Sequence, residues 1–284
     1  MPLVNPKELF DRAFSEHWAL GAFNTSNLEI TQAICWALEN TKSPGIIQTS
    51  EGTIEYAGLE TIKEIVDSVA ETVSVPLVLH LDHGKTFEVA QQCIEAGYMS
   101  VMIDGSAFPF EENIALTKQV VDLAKENGVW VEGELGAIAG KEGMIKNVDG
   151  RGHEKFTDPT EAVEFVKRTG VNALAVSVGT MHGAFRGEEK IRFELLAEIH
   201  KAVRIPLVLH GASGVPEDQI SQSLALGVAK VNIDTELREA FHEGLVHEDL
   251  KDLIDPRKIL SPARDAVKEI VERKVEVLGS KNKA

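Results

Sequence analysis

The sequence predicts an α/β fold, a single (β/α)8 TIM barrel with additional C-terminal helices, and three observations predict it. Short runs rich in aliphatic and β-branched residues alternate with longer segments whose apolar residues recur at three- and four-residue spacing, the pattern of a βα repeat. Eight such strands can be placed, the number that closes this kind of barrel. The chain has 284 residues, and barrels of about 250 residues fold as one unit, so residues 1–284 read as one domain.

In chain order, strands are expected at Leu20–Asn24, Gly45–Ser50, Pro76–His80, Ser100–Asp104, Val129–Leu135, Ala173–Val178, Leu207–His210 and Ala229–Ile233. Periodic helices are expected at Leu28–Glu39, Leu59–Thr72, Phe87–Ala96, Asn113–Glu126, Pro159–Arg168 and Phe193–Ala202. Gly97, Gly128 and Gly170 stand where helices stop, while Pro159 and Pro216 mark helix starts. A helical extension covers 236–284, split at Asp255-Pro256, with Pro262 opening its second helix. From Met1 to Trp18 charged and apolar residues alternate, with no basic start and no apolar stretch of a secretion signal. The segment from Gly136 to Lys155 has no clear period and is rich in glycine; loops of that length are usually functional or disordered.

Composition narrows the class. A hydrophobic fraction of 43% is ordinary, and no apolar run reaches the ~18–20 residues that would span a bilayer, so no membrane partner is expected. Cys35 and Cys93 sit among apolar helical neighbours and read as buried thiols of a reduced, cytoplasmic protein. A formal net charge of −16 with no basic stripe argues against nucleic acid. An acidic protein that binds an anion must supply positive charge locally, through a metal, helix N-termini, backbone N–H groups or a few basic side chains.

Barrel chemistry sits at the C-terminal ends of the strands and in the loops that follow. Those ends carry Asn24, Ser50-Glu51, Asp82-His83, Asp104, Glu132 and Glu134, then His182 beyond the sixth strand, His210 on the seventh, and Asn232, Asp234 and Thr235 at the eighth. Three histidines from three strands at one rim make a ligand set for catalytic zinc with a fourth position open. Val75-Pro-Leu-Val-Leu-His80 is echoed by Ile205-Pro-Leu-Val-Leu-His210, and alternation puts His80 and Asp82 on one side with His83 past the strand end. Spacing therefore leaves His80 and His83 both open. Gly211-Ala-Ser213-Gly214 and Asn232-Ile-Asp234-Thr235 follow the seventh and eighth strands, where many barrels bind phosphate, though small residues there also make good turns.

Six segments carry a more specific signal: Leu81-Asp-His-Gly84, Val101-Met-Ile-Asp-Gly-Ser106, Val131-Glu-Gly-Glu-Leu-Gly136, Gly179-Thr-Met-His-Gly183, Leu209-His-Gly-Ala-Ser-Gly214 and Val231-Asn-Ile-Asp-Thr235. In this order they resemble the motifs of class II, zinc-dependent fructose- and tagatose-bisphosphate aldolases, and the resemblance runs from Gly21-Ala-Phe-Asn24 to Asp255-Pro-Arg-Lys258. It implies zinc on His83, His182 and His210, with His80 as a neighbour, and Asp104 and Glu134 able to hold a displaced or second cation, divalent or monovalent. It further implies Asp82 as the acid/base at the substrate C4 oxygen and Glu142 as the second proton-transfer group. Gly183, Gly211, Ser213, Asp234 and Thr235 would cradle the dihydroxyacetone-phosphate end, with Asn24, Ser50 and Asn232 as further substrate contacts. Arg257 resembles the residue that reaches the other phosphate from a neighbouring subunit, which implies a homodimer or homotetramer.

The activity so implied is reversible cleavage of fructose 1,6-bisphosphate to dihydroxyacetone phosphate and glyceraldehyde 3-phosphate through a zinc-stabilised enediolate, a glycolytic lyase reaction on a sugar bisphosphate with triose phosphates as products. Gly105-Ser-Ala-Phe-Pro-Phe110 is nearer the tagatose branch and Asp234 nearer the fructose branch, so tagatose 1,6-bisphosphate is the alternative substrate. Phe185 and Arg186 stand where many relatives have Tyr and Lys, and Glu154 competes with Glu142 for its role. A non-catalytic sugar-phosphate-binding barrel is a more distant reading, and a zinc hydrolase another. A lysine Schiff-base aldolase needs a desolvated lysine at the rim. The sixth strand ends without one, and Lys230 reads as a surface or stability residue at the opposite end of the barrel.

Overall fold

A computed structural model describes residues 3–136, 155–181, 190–246, 250 and 252–284. Within them, β1 (Leu20–Asn24), β2 (Gly45–Ser50), β3 (Leu77–Gly84), β4 (Ser100–Ile103), β5 (Trp130–Leu135), β6 (Ala173–Val176), β7 (Leu207–Leu209) and β8 (Val228–Ile233) pair in parallel and in sequence order. The pairing of β1 with β8 closes them into a TIM barrel. Helices α1 (Lys7–Glu16), α2 (Leu28–Thr41), α3 (Glu51–Ala57), α4 (Leu59–Ala70), α5 (Phe87–Glu95), α6 (Phe110–Asn127), α7 (Pro159–Thr169), α8 (Phe193–Val203), α9 (Glu217–Leu224), α10 (Thr235–Leu245) and α11 (Pro256–Val277) complete the described regular structure.

Local chemistry accounts for the helix ends. Asn27 accepts a hydrogen bond from the Ile30 N–H to open α2, and Asp158 accepts from Thr160 and Glu161 to open α7, with Pro159 where no N–H is needed. Gly128 and Gly170 end α6 and α7 in the left-handed region, φ 69° and 74°.

Outward side chains of the strands, such as Phe23, Ile47, Leu79, Val101, Val131, Leu174, Leu209 and Val231, pack with the helices as one continuous buried cluster. A second apolar cluster fills the N-terminal part of the barrel: Leu20, Ala22, Ile46, Val78, Met102, Ala173, Ala175 and Val208, joined by Leu9, Phe10 and Ala13 of α1. Phe10 stacks on Trp130 with ring centroids 4.9 Å apart. Alternation carries the same inward rows up the strands into polar residues: Ala22 to Asn24, Val78 to His80 to Asp82, Met102 to Asp104, Val208 to His210. The interior is thus apolar at the bottom and polar at the rim.

Three expectations change. The N-terminal segment forms α1, because Leu9, Phe10 and Ala13 share one helical face that seals the barrel floor. Strand β3 continues to Gly84, since its polar end residues pair within the barrel and do not leave it. The second extension helix, α11, begins at Pro256, capped by Asp255, and Pro262 lies inside it. Ala263, Val267, Val271 and Val275 form its buried stripe, and the helix packs against α2 and α10.

The α10–α11 crossing is tight. A Cβ on Gly244 would stand 2.4 Å from the Ala263 Cα and 2.9 Å from the Pro262 carbonyl. Gly244→Ala is expected to lower stability by about 1–3 kcal/mol, the usual effect of overpacking. A denaturant midpoint equal to that of the parent chain would show that the two helices separate freely. Cys35 and Cys93 are buried free thiols, pushed up to about 12 by burial. Among the described residues, no helix is long and apolar enough to cross a membrane.

Candidate metal and active site

The polar rim converges on Asp82, His83 and His210. Asp82 is fully buried, and both its carboxylate oxygens accept from amides: Asn24 Nδ2 at 2.9 Å and Asn232 Nδ2 at 3.0 Å. Asn24 is itself held by Gln48, whose Nε2 donates to its Oδ1 at 2.6 Å. Two expected substrate residues, Asn24 and Asn232, therefore hold the expected acid/base. Burial opposes the charge of Asp82, but His83, His210 and Lys230 prevail and hold its pKa below the ordinary value.

His83 reaches the interior by an irregular route. Regular alternation would turn it away from the face that Asp82 occupies. Between Leu81 and Gly84 the β3–β4 register slips, and His83 adopts φ 49°, the left-handed backbone that non-glycine residues rarely use. Gly84 permits the bend, since a Cβ there would lie 2.9 Å from the Met102 carbonyl. The result puts His83 Nε2 2.8 Å from His210 Nδ1, with the rings nearly perpendicular.

Each imidazole is fixed from its far side by a carboxylate. His83 Nδ1 lies 3.0 Å from Asp104 Oδ2, and His210 Nε2 lies 2.8 Å from Glu132 Oε1. An ionised carboxylate only accepts, so these nitrogens carry the ring protons and the facing pair, His83 Nε2 and His210 Nδ1, are the acceptors. Two acceptor nitrogens at 2.8 Å repel unless a cation or proton lies with them. Ligand atoms of Asp82, His83 and His210 lie within 4.8 Å of one another, as do those of His83, Asp104 and Glu134. Among the described residues, Glu134 Oε2 is buried with no hydrogen-bond partner. A nitrogen-rich point beside a carboxylate pair fits a divalent cation such as zinc.

Electrostatics distinguish the carboxylates. Burial works against Asp104, yet the hydrogen bond and charge of His83 and the Ser106 hydroxyl hold its pKa well below the carboxylate range. Burial and the adjacent Asp104 push Glu134 up to about 8. Burial raises Asp234 against the opposing charge of Arg238, whose Nε donates to its Oδ1 at 2.7 Å.

The remaining expected residues are placed as follows. Ser50 ends β2 and accepts from the Thr53 N–H. Gly211, at φ 63°, turns the chain into a 3-10 turn over Ala212–Gly214 that includes Ser213. Asp234 precedes α10 and Thr235 is its first residue. Arg257 sits at the start of α11 with its guanidinium on Asp255, and among the described residues no contact joins it to the rim cluster. Glu142, His182 and Gly183 lie outside the described residues, as do Glu154, Phe185 and Arg186.

Lys230 is a correction. It is fully buried inside the barrel, in the row that continues to Asn232 and Asp234. Its Nζ donates to Glu132 Oε2 at 2.7 Å and lies 3.2 Å from His80 Nε2. His80 Nδ1 faces the Ser100 hydroxyl at 2.7 Å, so both nitrogens of His80 are engaged beneath the rim.

Residues 4–283 match the family model described as fructose-bisphosphate aldolase class-II. A fructose-bisphosphate aldolase from Geobacillus stearothermophilus is 44% identical over 289 aligned positions, covering 100% of this chain and 99% of the relative. A 6-phospho-5-dehydro-2-deoxy-D-gluconate aldolase from Bacillus licheniformis is also 44% identical, covering 100% and 97%. The crystal structure of the YdjI aldolase from Escherichia coli K12 superposes with a TM-score of 0.88 at 36% identity, covering 99% of both chains.

Proposed function

This chain belongs to the class II fructose-bisphosphate aldolase family, and from that membership we infer that it cleaves fructose 1,6-bisphosphate reversibly into dihydroxyacetone phosphate and glyceraldehyde 3-phosphate. The observation that carries the reading is the placement of Asp82, gripped by two amides, beside the converging nitrogens of His83 and His210. Full-length relatives at 42–44% identity bear the fructose-bisphosphate name, which does not favour the tagatose alternative.

His83 and His210, together with His182, would hold the zinc that the family uses. When bound, the cation supplies Lewis-acid stabilisation of the negative charge that develops as the bond between C3 and C4 breaks. Asp82 would take the proton of the C4 hydroxyl, and the Asn24 and Asn232 amides keep its carboxylate from rotating away. Glu142 would exchange the proton at the carbon that loses its partner. Asp104 and Glu134 offer a second position for a displaced cation. The turn at Gly211–Gly214 and the N-terminus of α10 at Thr235 present backbone N–H groups suited to a phosphate. Arg257, exposed and with its guanidinium on Asp255, suits a role in a neighbouring subunit's site, and a homodimer or homotetramer in the cytoplasm belongs to the same reading.

Cleavage of fructose 1,6-bisphosphate and tagatose 1,6-bisphosphate is to be compared before and after chelator treatment and zinc add-back. Faster turnover of the fructose sugar, lost with chelator and restored by zinc, is expected. Turnover that survives complete metal removal would sink the zinc mechanism, and turnover of neither sugar would sink the substrate assignment. The B. licheniformis relative makes 6-phospho-5-dehydro-2-deoxy-D-gluconate the next compound to assay.

A further inference from the structure

Beneath the rim lies a sealed chain of polar side chains that ends on His210 and whose other members have no role in the aldol reaction as read above. Ser100, His80, Lys230, Glu132 and His210 are each 1% exposed or less. Their contacts run in one line: Ser100 Oγ to His80 Nδ1 at 2.7 Å, His80 Nε2 to Lys230 Nζ at 3.2 Å, Lys230 Nζ to Glu132 Oε2 at 2.7 Å, and Glu132 Oε1 to His210 Nε2 at 2.8 Å. A buried ion pair is a poor way to gain stability, because desolvating both charges offsets most of their attraction. One such pair that ends on an imidazole of the rim calls for another explanation.

The two rim histidines are built alike. Each has a carboxylate on its far nitrogen, and each carboxylate is itself anchored. Asp104 is held by Ser106, whose Oγ and N–H donate to Oδ1 at 2.6 and 3.0 Å. Glu132 is held by Lys230. Without its anchor, a glutamate with three rotatable bonds could leave His210, and the Nε2 proton would lose the acceptor that keeps it on that nitrogen.

We propose that Lys230 is a positioning residue for the metal centre: through Glu132 it locks the His210 ring with its proton on Nε2, so that Nδ1 is the atom presented beside His83 Nε2. The inference rests on the reading of His210 as a metal ligand. Removing Lys230 should weaken cation binding although Lys230 touches neither cation nor substrate, and partners of this kind typically contribute about 10–100-fold in affinity.

The test is zinc affinity of the full chain, measured by competition with a chromophoric chelator, for the parent protein, Lys230→Met and the isosteric Glu132→Gln. Binding about 10–100-fold weaker is expected in both variants while each still unfolds cooperatively. Parent-like affinity in a folded Lys230→Met protein overturns the proposal. Long-range nitrogen–proton correlation spectra of the zinc-loaded parent, with isotope-labelled histidine, need no substitution and decide the matter should either variant fail to fold. Metal at His210 Nδ1 and a proton on Nε2 are expected, and the reverse arrangement overturns the proposal. If the parent binds no zinc, the metal assignment falls and this inference with it; parent-like zinc binding that ignores Lys230 removes the inference alone.

Discussion

Asp82→Ala is expected to lower kcat by about 10²–10⁴-fold, the usual contribution of a positioned proton-transfer group, while zinc remains bound. Asp82 is fully buried and its two oxygens are committed to Asn24 and Asn232, so its carboxylate is presented in one orientation. Its atoms also fall within ligand distance of His83 and His210, which makes direct coordination the competing role. Steady-state kinetics paired with metal analysis separate the two. Lost turnover with full zinc content supports proton transfer; zinc lost in parallel with turnover would make Asp82 a ligand. Normal turnover would refute both. Alanine removes an acceptor from two buried amides, at about 1–3 kcal/mol for each group left unsatisfied, so the melting temperature must be followed alongside.

His210→Ala is expected to strip both zinc and activity, with a loss of affinity larger than the about 10–100-fold of an outer partner, because a ligand itself is removed. The ring is the meeting point of the rim and the buried chain beneath it, touching His83 on one side and Glu132 on the other. Glu132 would keep Lys230 as its partner, so the barrel should remain folded. Stoichiometric zinc in this variant would contradict the assignment. His80 is poorly placed to substitute, since its nitrogens already face Ser100 and Lys230.

The barrel was legible because each strand repeats the same apolar signal and each helix the same period. The ends of β1 and β2 coincide with those expected from sequence. The end of β3 does not: the apolar run stops at Leu81, while the strand goes on through Asp82 and His83. Sequence rules that end a strand at its first polar residues fail where the interior itself turns polar. Lys230 was misjudged for a related reason. A lysine near a strand start reads as solvated, yet Lys230, Asn232 and Asp234 are spaced by two and must share a face. The same spacing joins Glu132 to Glu134 and would have marked both as interior. Choosing His83 over His80 lay beyond spacing altogether, because it depends on a register slip whose only trace is Gly84.

That slip ties chemistry to a single backbone insertion. Losing one residue between Asp82 and Gly84 would let β3 return to a regular pleat, leaving the floor of the barrel and its outer helices unaltered. Such a chain would keep the turns after β7 and β8 but present no imidazole at the rim from β3, where His80 lies deeper. A one-residue deletion would thus remove the rim imidazole of β3 with no side-chain substitution to accompany it.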